Sequence, residues 1–474
     1  MAIEDAPLTA RPADRGPLAS RTVPVAGGEA RASRTALVLG VLFGLTATGS
    51  SAAAVVLPQL QEDLGLSHAA AAWTLSIYAL MLAVTTAGYG RIADIVGVRK
   101  PLVAGVVLMA AGATISALAT ALPMLLVGRV VQGAGAGAVP VLATALISAR
   151  FSGETRSGAL GRVAGVSAAV SALGPLAGGV LDLVGGWRVV VALPIAGLVL
   201  LPAVARAAPA RGGGGRLDLR GAVLVAGTAA GLVLLLQSAA AGPLLAGVGA
   251  GLLAAGIPLT ALHVRRRPEG FLPRAVVTRG RVLRAALAGA SIPAAWFALL
   301  LAVPADLHGR GWTPLQVGLA LVPAAALGLL AARRAGWVLS RLGGRLTLGG
   351  SALLAAASLL TAALGVDVGS PLLLVLAVCV VTLSFSIGQP AMVSEVGSAV
   401  AGSVRGIALG VATLAFLAGG SVGSAAVGGL ADLLGMSGAL SAVTVLPFAA
   451  AAVAVLAGRR AARTSGTSAV DTRT

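Results

Sequence analysis

Charged side chains are scarce in this sequence: they make up 11% of its 474 residues, whereas 57% are hydrophobic. A soluble domain needs about 25% charged residues to cover its surface. Aromatic residues amount to 3%, and the single cysteine, Cys379, can form neither an intrachain disulfide nor a cysteine metal site. The composition therefore excludes a soluble globular domain and indicates a chain embedded in lipid, with no metal site and no cofactor expected.

Long apolar runs dominate the chain instead. Each is about 20 residues long, which is the length of a helix that crosses a bilayer. Because the strands of an outer-membrane barrel would alternate apolar and polar residues, the continuous runs predict an all-α membrane protein. We predict 14 transmembrane helices (spans), near residues 35–57, 70–90, 101–120, 122–148, 159–181, 189–205, 219–237, 243–263, 283–303, 315–332, 346–365, 370–392, 406–430 and 437–457.

The basic residues, which give a net charge of +18, lie in alternate gaps between the apolar runs. Arg91, Arg99 and Lys100 follow span 2, and the gap after span 8, residues 265–284, holds seven arginines. This spacing is typical of cytoplasmic loops rather than of a nucleic-acid surface. We therefore predict a multi-pass plasma-membrane protein with both termini in the cytoplasm, and no nucleic-acid partner.

Two segments of the first half recur in the second. Gly90–Arg99 aligns with Gly336–Arg345 at a shift of 246 residues, and Arg156–Gly161 aligns with Arg405–Gly410 at a shift of 249. Repeated halves are common in secondary transporters. The predicted organisation is a disordered tail (1–34), a six-helix half (35–205), an inserted helix pair, spans 7 and 8, with its loops (206–282), a second six-helix half (283–457) and a short cytoplasmic tail (458–474).

Three motifs resemble those of the Major Facilitator Superfamily. Gly90–Lys100 resembles its loop 2–3 signature, Arg129–Gly135 its span 4 motif, and Gly174–Gly179 the span 5 motif of its exporters. Arg216–Gly221 and Trp73–Tyr78 resemble the fourteen-helix drug:proton antiporters, a group that includes tetracycline and quaternary-ammonium exporters. The resemblance implies drug export by alternating access.

The loop 2–3 segment is expected to act as a conformational latch. Its residues are Gly90, Arg91, Asp94, Gly97 and Arg99. Asp94 can pair with a basic residue or cap a neighbouring helix in one conformation and release it in the other. The alternative is a basic loop that only sets the topology of the chain.

Arg129 and Gln132 form a polar face one helical turn apart in span 4. An Arg at the centre of a membrane helix costs about 2.5–3.5 kcal/mol on insertion scales, so it usually faces a cavity or a partner. The alternative is that Arg129, which lies only ~10 Å from the outer end of the span, extends to the lipid headgroups. We expect the pair to line the transport path.

The span 5 motif consists of Gly174, Pro175, Gly178 and Gly179. The proline removes a backbone donor and bends the helix, and the two later glycines allow close packing. By resemblance this motif favours export and belongs to the transport path. The alternative is an ordinary glycine-rich membrane helix.

Polar and aromatic residues within other spans are candidates for substrate contact. They are Trp73, Tyr78, Trp296, Phe297, Ser386 and Gln389. Tryptophan and tyrosine near span ends also occur as interfacial belt residues, which is the alternative for each aromatic side chain.

The expected acidic residues of the drug:proton antiporters are absent from two spans. Gly49 stands at the position of an aspartate in span 1, and Gly419 and Gly420 occupy the stretch of span 13 where tetracycline exporters carry an acid. The remaining candidates for proton coupling are Asp94, Asp306 and Glu395. Alternatively, an anionic substrate leaves by membrane potential alone, with Arg129 as its counter-charge.

The sequence carries no catalytic constellation and no Walker motif, and its 3 histidines lie in or beside loops. We therefore predict a non-enzymatic, monomeric secondary transporter that exports a small amphipathic compound, with protons as the expected coupling ion and lipid as its surroundings. Two alternatives remain: an uptake or potential-driven anion transporter of the same fold, and a membrane sensor that transports nothing.

Overall fold

A computed structural model describes residues 26–209, 218–241, 243–400 and 405–454, and within them it contains helices and no strand. The first half comprises α1 (Ala26–Val55), α2 (Leu57–Asp63), α3 (His68–Val96), α4 (Arg99–Ala117), α5 (Leu122–Ala136), α6 (Ala138–Arg150), α7 (Gly153–Ala172), α8 (Gly174–Ala192) and α9 (Gly197–Ala207). After them come α10 (Leu219–Ala241), α11 (Pro243–Arg266), α12 (Arg274–Val277), α13 (Gly280–Gly309), α14 (Pro314–Ala320), α15 (Val322–Asp367), α16 (Pro371–Ser398) and α17 (Arg405–Val443). The all-helical prediction is confirmed.

Within the described ranges, 11 helical stretches are long and apolar enough to cross a membrane. Three of them contain a glycine with positive φ: Gly186 (65°), Gly343 (74°) and Gly435 (72°). A side chain at such a φ would clash with the backbone, so glycine is the residue that can break the helix there. Each of these glycines separates two helical segments.

The turns of the two halves coincide. Six of the seven positive-φ glycines in the described ranges occur in pairs: Gly65 with Gly311 and Gly97 with Gly343 are both 246 residues apart, and Gly186 is 249 residues from Gly435. These separations equal the two shifts at which the sequence segments align. The two halves therefore turn at equivalent positions.

The first helix begins earlier than the sequence pattern suggests. α1 starts at Ala26, so residues 26–34, predicted as part of a disordered tail, are helical. Alanine, glutamate and arginine are good helix formers and extend the membrane helix into the polar region. The rest of that tail, residues 1–25, and the predicted C-terminal tail, 458–474, lie outside the described residues.

The bundle has two ends. We call the end that carries the turns at 64–67, 118–121 and 310–313 the Glu62 face, and the end that carries the turns at 97–98 and 151–152 the Arg99 face.

On the Glu62 face the halves are packed together. α8 crosses α14 at two glycines, such that a Cβ on Gly179 would lie 2.6 Å from the Leu315 Cα and a Cβ on Gly318 would lie 2.6 Å from the Pro175 carbonyl oxygen. α3 packs against α17, where the hydroxyls of Ser76 and Ser424 are 2.8 Å apart. Two polar contacts lie at the outermost turn: His308 with Glu62 (3.1 Å) and His68 with Asp432 (3.6 Å).

On the Arg99 face the corresponding helices stand apart. A Cβ added to Gly88 of α3, Gly161 or Gly165 of α7, Gly336 of α15 or Gly410 of α17 would meet no heavy atom within 4 Å. Within the described ranges, the side-chain contacts that join the halves include Ser76 with Ser424 and Ser421, His308 with Glu62, and His68 with Asp432, and these lie on the Glu62 side. We interpret this arrangement as closed at the Glu62 face and open at the Arg99 face.

The inserted pair lies against one side of this bundle. α10 packs on both α3 and α17, and so covers the seam where the two halves meet. Val233 of α10 is buried there with Leu80 and Val84 of α3 and with Leu414 and Ala425 of α17. α11 packs on α10, with Gly231 and Gly249 at the crossing.

Asp218 joins the two inserted helices at the Arg99 face. Its carboxylate accepts hydrogen bonds from the backbone N–H of Phe271 (2.8 Å) and Gly221 (3.1 Å), and lies 2.8 Å from His263 Nε2. Burial raises the pKa of this carboxyl, but the bonds from Phe271, His263 and Gly221 outweigh burial and hold the pKa below its usual range. The charged form therefore stabilises the fold.

Asp218→Asn is expected to lower the free energy of unfolding by about 1–3 kcal/mol, because the amide is a weaker acceptor for three donors. Since the pKa is lowered in the folded state, this stabilisation is present above the unfolded pKa of about 3.9 and is lost as pH falls through the folded value. Thermal unfolding in detergent at several pH values measures it. Asp367→Asn, which loses one exposed bond to Ser437, is the control, and an equal effect of both variants would contradict the assignment.

Candidate functional site

Arg129 of α5 lies in a buried polar cluster formed by α1, α3 and α5. Its side chain is 0% exposed, and its Nη1 donates to the Gly49 carbonyl oxygen (2.9 Å) and to Gln132 Oε1 (3.1 Å). On α3, the Tyr78 hydroxyl donates to the Thr46 carbonyl oxygen of α1 at 2.5 Å. Arg129 and Gln132 thus point into the bundle, and the alternative in which Arg129 extends to the lipid headgroups does not describe this conformation.

Several polar atoms of this cluster have no partner. Nε and Nη2 of Arg129, Nε2 of Gln132 and Oγ of Ser50 are buried without a hydrogen bond. Leaving a buried donor unsatisfied costs about 1–3 kcal/mol, and more for a charged group. The ion pairs found in the described ranges do not include Arg129. The cluster therefore holds a buried cation with free donors.

Small residues bring these side chains together. A Cβ on Gly112 of α4 would lie 2.6 Å from the Cα of Gln132, so α4 and α5 are in backbone contact there. A Cβ on Gly133 would lie 2.6 Å from the Tyr78 carbonyl oxygen, which places α5 directly on α3. Close approach of backbones through glycine is how membrane helices pack without a hydrophobic driving force.

Gly49 borders the free donors. A Cβ at this position would lie 3.2 Å from the Tyr78 hydroxyl oxygen and 3.3 Å from Gln132 Nε2. Because position 49 is a glycine, no side chain of α1 lies next to the amide nitrogen of Gln132.

The span 5 motif lies where α8 meets α1 and α14. α7 ends at Ala172 and α8 begins at Gly174, with Pro175 in its first turn, so the helix is interrupted where the sequence predicts a kink. A Cβ on Gly178 would lie 2.8 Å from the Ala52 carbonyl oxygen, and Gly179 faces α14 as described above. The motif thus forms part of the closed Glu62 face.

The aromatic candidates lie in three separate places. Trp296 of α13 stacks against Phe385 of α16 (ring centroids 5.6 Å apart), which in turn contacts Phe416 of α17 at 5.3 Å. Trp73, by contrast, packs with the buried cluster beneath α10. Tyr78, at a different angle on α3, belongs to the Arg129 cluster, so the structure separates two residues that the sequence analysis groups together.

The other predicted substrate residues belong to the second half. Phe297 packs against Gly420, since a Cβ there would lie 2.7 Å from the Phe297 ring. Ser386 is half-buried near Gly328 of α15, and Gln389 is exposed. Ser386 and Gln389 lie on the same helix as Phe385, α16.

Two of the acidic candidates are paired at helix ends. Asp306 accepts bonds of 2.6 and 3.1 Å from Arg310 at the Glu62 face. Glu395 accepts a 2.9 Å bond from Arg281 near the Arg99 face. The side chain of Asp94, the third candidate, lies outside the described residues.

The predicted latch lies at the Arg99 face. Gly97 ends α3 with φ of 88°, and its N–H donates to the Ala93 carbonyl oxygen. Arg91 and Arg99 are exposed, and a Cβ on Gly90 would approach Val141 to 3.4 Å. Gly97 thus makes the tight turn that the sequence suggests, while the role of Asp94 stays a prediction.

Sequence reasoning missed the closure of the Glu62 face. Gly318, Ser76 and Ser424 lie at the contact between the halves, as do the pairs of His308 with Glu62 and His68 with Asp432. The available signal was the run of small residues in spans 2 and 13, which resembles the rest of this glycine-rich chain.

Comparison with known proteins gives consistent matches. Residues 39–264 match the Major Facilitator Superfamily. The cephamycin export protein CmcT of Amycolatopsis lactamdurans is 32% identical over 316 residues, which cover 63% of this chain and 64% of that protein. The multidrug resistance protein Stp of Mycobacterium tuberculosis is 28% identical over 301 residues, 61% of this chain and 56% of that protein. The chain thus aligns with less than two thirds of the length of these relatives.

Among solved structures, a POT family transporter in complex with a thioalcohol-conjugated peptide has a TM-score of 0.68 at 14% identity, covering 90% of this chain and 96% of that one. At this identity the likeness concerns the fold. Because it extends over both halves, it covers the region beyond residue 264 that the sequence match does not reach.

Proposed function

We propose that this chain, of which residues 39–264 match the Major Facilitator Superfamily, is a transporter rather than an enzyme and exports a small amphipathic compound across the plasma membrane by alternating access. The observation that carries this proposal is a conformation closed at the Glu62 face and open at the Arg99 face, with the buried Arg129 cluster between the ends. Exposure of a site to one side at a time is what alternating access requires.

Export is favoured over uptake by two observations. The Gly174–Gly179 motif resembles that of exporters, and it forms the crossing with α14 that closes the Glu62 face. The relatives CmcT and Stp bear the names of a cephamycin exporter and a multidrug resistance protein. Both support movement of a compound from the Arg99 face to the Glu62 face.

The transporter is proposed to have 14 spans with the Arg99 face in the cytoplasm. Three of the 11 membrane-length stretches are each divided in two, at Gly186, Gly343 and Gly435, which yields fourteen segments. Helix α7 precedes the fifth segment and forms the first part of span 5. Arg91, Arg99 and Lys100 lie at the Arg99 face, which the positive-inside rule assigns to the cytoplasm.

Thiol labelling tests this topology. In a Cys379→Ser background, Ser67→Cys is expected to react with a membrane-impermeant reagent in intact cells, because Ser67 is exposed on the Glu62 face. Glu269→Cys, exposed between α11 and α12, is expected to react only after the cells are broken. Labelling of Glu269→Cys in intact cells would contradict the orientation.

Proton antiport is the proposed energy source. Asp306 and Glu395 are held in ion pairs at opposite ends of the bundle. Neither carboxylate can therefore carry a proton from one face to the other by itself. Asp94 remains the candidate for a group whose partners change between states. The alternative, export of an anion driven by the membrane potential, uses Arg129 as the counter-charge.

Efflux and its driving force are tested in one preparation. Expression in a host lacking its own efflux pumps is expected to raise the inhibitory concentration of some members of an antibiotic panel. Everted vesicles should then accumulate those compounds when the pH is made lower inside the vesicles than outside. Accumulation by intact cells instead would indicate uptake. Flux that follows the membrane potential alone would exclude proton antiport. A cellular response to the compound without any flux would indicate a sensor.

A further inference from the structure

We propose that Arg129 and Gln132 form a binding site for a single anionic group, a carboxylate of the transported compound, beside Gly49, where α1 presents no side chain to their free donors. This assignment rests on the proposed transport function and adds to it the chemical class of the substrate. It is drawn from the burial of Arg129, the free donors around it and the missing side chain at position 49.

The first argument is the uncompensated charge. Arg129 has five N–H donors, yet both of its hydrogen bonds involve Nη1, to the Gly49 carbonyl oxygen and Gln132 Oε1. Its Nε and Nη2 are buried and free. A fully buried guanidinium normally has a carboxylate or comparable partner, because an unpaired charge in a dry interior is costly.

The second argument is the arrangement of donors. Gln132 uses its carbonyl oxygen toward Arg129, and its free Nε2 lies 3.3 Å from the place of a Cβ on Gly49. The Tyr78 hydroxyl, 3.2 Å from the same point, is not a free donor, because it donates a hydrogen bond to the Thr46 carbonyl oxygen. The free donors therefore come from a cation and an amide, a pair suited to the two oxygens of a carboxylate.

The third argument concerns what could occupy the space. The residue nearest to it is a glycine, and Asp63 and Asp182, two of the acids at the Glu62 face, accept hydrogen bonds from Trp187 and Gln59 respectively. Within the described ranges, the protein's own carboxylates are thus not paired with Arg129. An anion from solution or from the substrate is the remaining source of counter-charge.

Gly49→Asp supplies the missing carboxylate from the protein itself. The contacts of a Cβ at 3.2 and 3.3 Å are with the polar ends of two side chains, which can shift by the few tenths of an ångström required. An aspartate here would neutralise Arg129 and occupy the proposed site. Gly49→Asn has the same size without the charge and serves as the matched control.

The test uses three probes with one apolar body: naphthoate, its neutral amide, and naphthylmethylammonium. Equilibrium binding to the purified full chain in detergent is measured for wild type, Arg129→Gln, Gly49→Asp and Gly49→Asn. We expect wild type to bind naphthoate about tenfold or more tightly than the amide, a difference of about 1.4 kcal/mol. Gly49→Asn, which fills the same place without a charge, should weaken naphthoate binding without favouring the cation. Arg129→Gln and Gly49→Asp should lose that preference, and Gly49→Asp should favour the cation.

Three results would overturn the proposal. They are equal binding of the three probes by wild type, no binding of naphthoate by wild type, and a preference for naphthoate that both Arg129→Gln and Gly49→Asp keep. If Arg129→Gln fails to fold, the two Gly49 variants decide it. Chloride is titrated in parallel in sulfate buffer, and binding of chloride without naphthoate would assign the space to a resident inorganic ion and overturn the substrate class. Export by cells is measured separately. If cells export compounds while the purified protein shows no preference for the anionic probe, the assignment of this site is rejected and the proposed function is retained.

Discussion

Gly179→Val is expected to abolish export while leaving the protein folded. Gly179 lies where α8 crosses α14, and even a Cβ there would be 2.6 Å from both the Leu315 Cα and the Pro314 carbonyl oxygen. Backbone atoms cannot rotate away as a side chain can, so the two halves must separate at the Glu62 face. Overpacking of this kind costs about 1–3 kcal/mol.

The clash occurs in one state of the transport cycle. It therefore shifts the population toward the state open at the Glu62 face, by about 5–150-fold for 1–3 kcal/mol. Vesicle flux measures the loss of export, and labelling of Ser424→Cys by an impermeant reagent measures the opening. Gly350→Val, on a membrane helix with no heavy atom within 4 Å of its Cβ, is the control. Normal flux with Gly179→Val would mean that α8 and α14 do not form the gate.

Gly112→Val is expected to have the largest effect on stability. Its Cβ would lie 2.6 Å from both the Gln132 Cα and the Gly128 carbonyl oxygen, and this contact is between helices of the same half. Because both states of the cycle share it, the protein cannot avoid the clash by changing conformation. We expect a loss of about 3 kcal/mol, the upper end for overpacking.

The measurement is the yield and the thermal unfolding midpoint in detergent. Gly247→Val, on the exposed face of α11 and free of any heavy atom within 4 Å, should leave both unchanged. A Gly112→Val protein with a normal midpoint would show that α4 and α5 can separate without cost, and the rigid placement of Gln132 would then have to come from another helix.

The sequence predicts what depends on neighbours along the chain. Continuous apolar runs predict the helices, the glycine at position 97 predicts the turn after α3, and the spacing of Arg129 and Gln132 places them on one face, where they are hydrogen-bonded. Asp306 with Arg310 is an (i, i+4) pair of the same local kind.

Contacts between distant segments could not be predicted in this way. Arg129 bonds to the backbone of Gly49, 80 residues away, and Glu395 pairs with Arg281, 114 residues away. Trp73 packs on an inserted helix instead of joining Tyr78. In a chain with 66 glycines, helix crossings depend on which small residues face each other, and composition alone does not distinguish them.

The position of α10 has a consequence for compounds that dissolve in the bilayer. The two halves meet along two seams, one between α3 and α17 and the other between α7 and α15, and α10 covers the first. Along the second seam, Gly161, Gly165 and Gly336 face open space near the Arg99 face. If the protein transports as proposed, a lipid-soluble compound is expected to enter sideways through this second seam, from the leaflet at the Arg99 face and on one flank of the molecule.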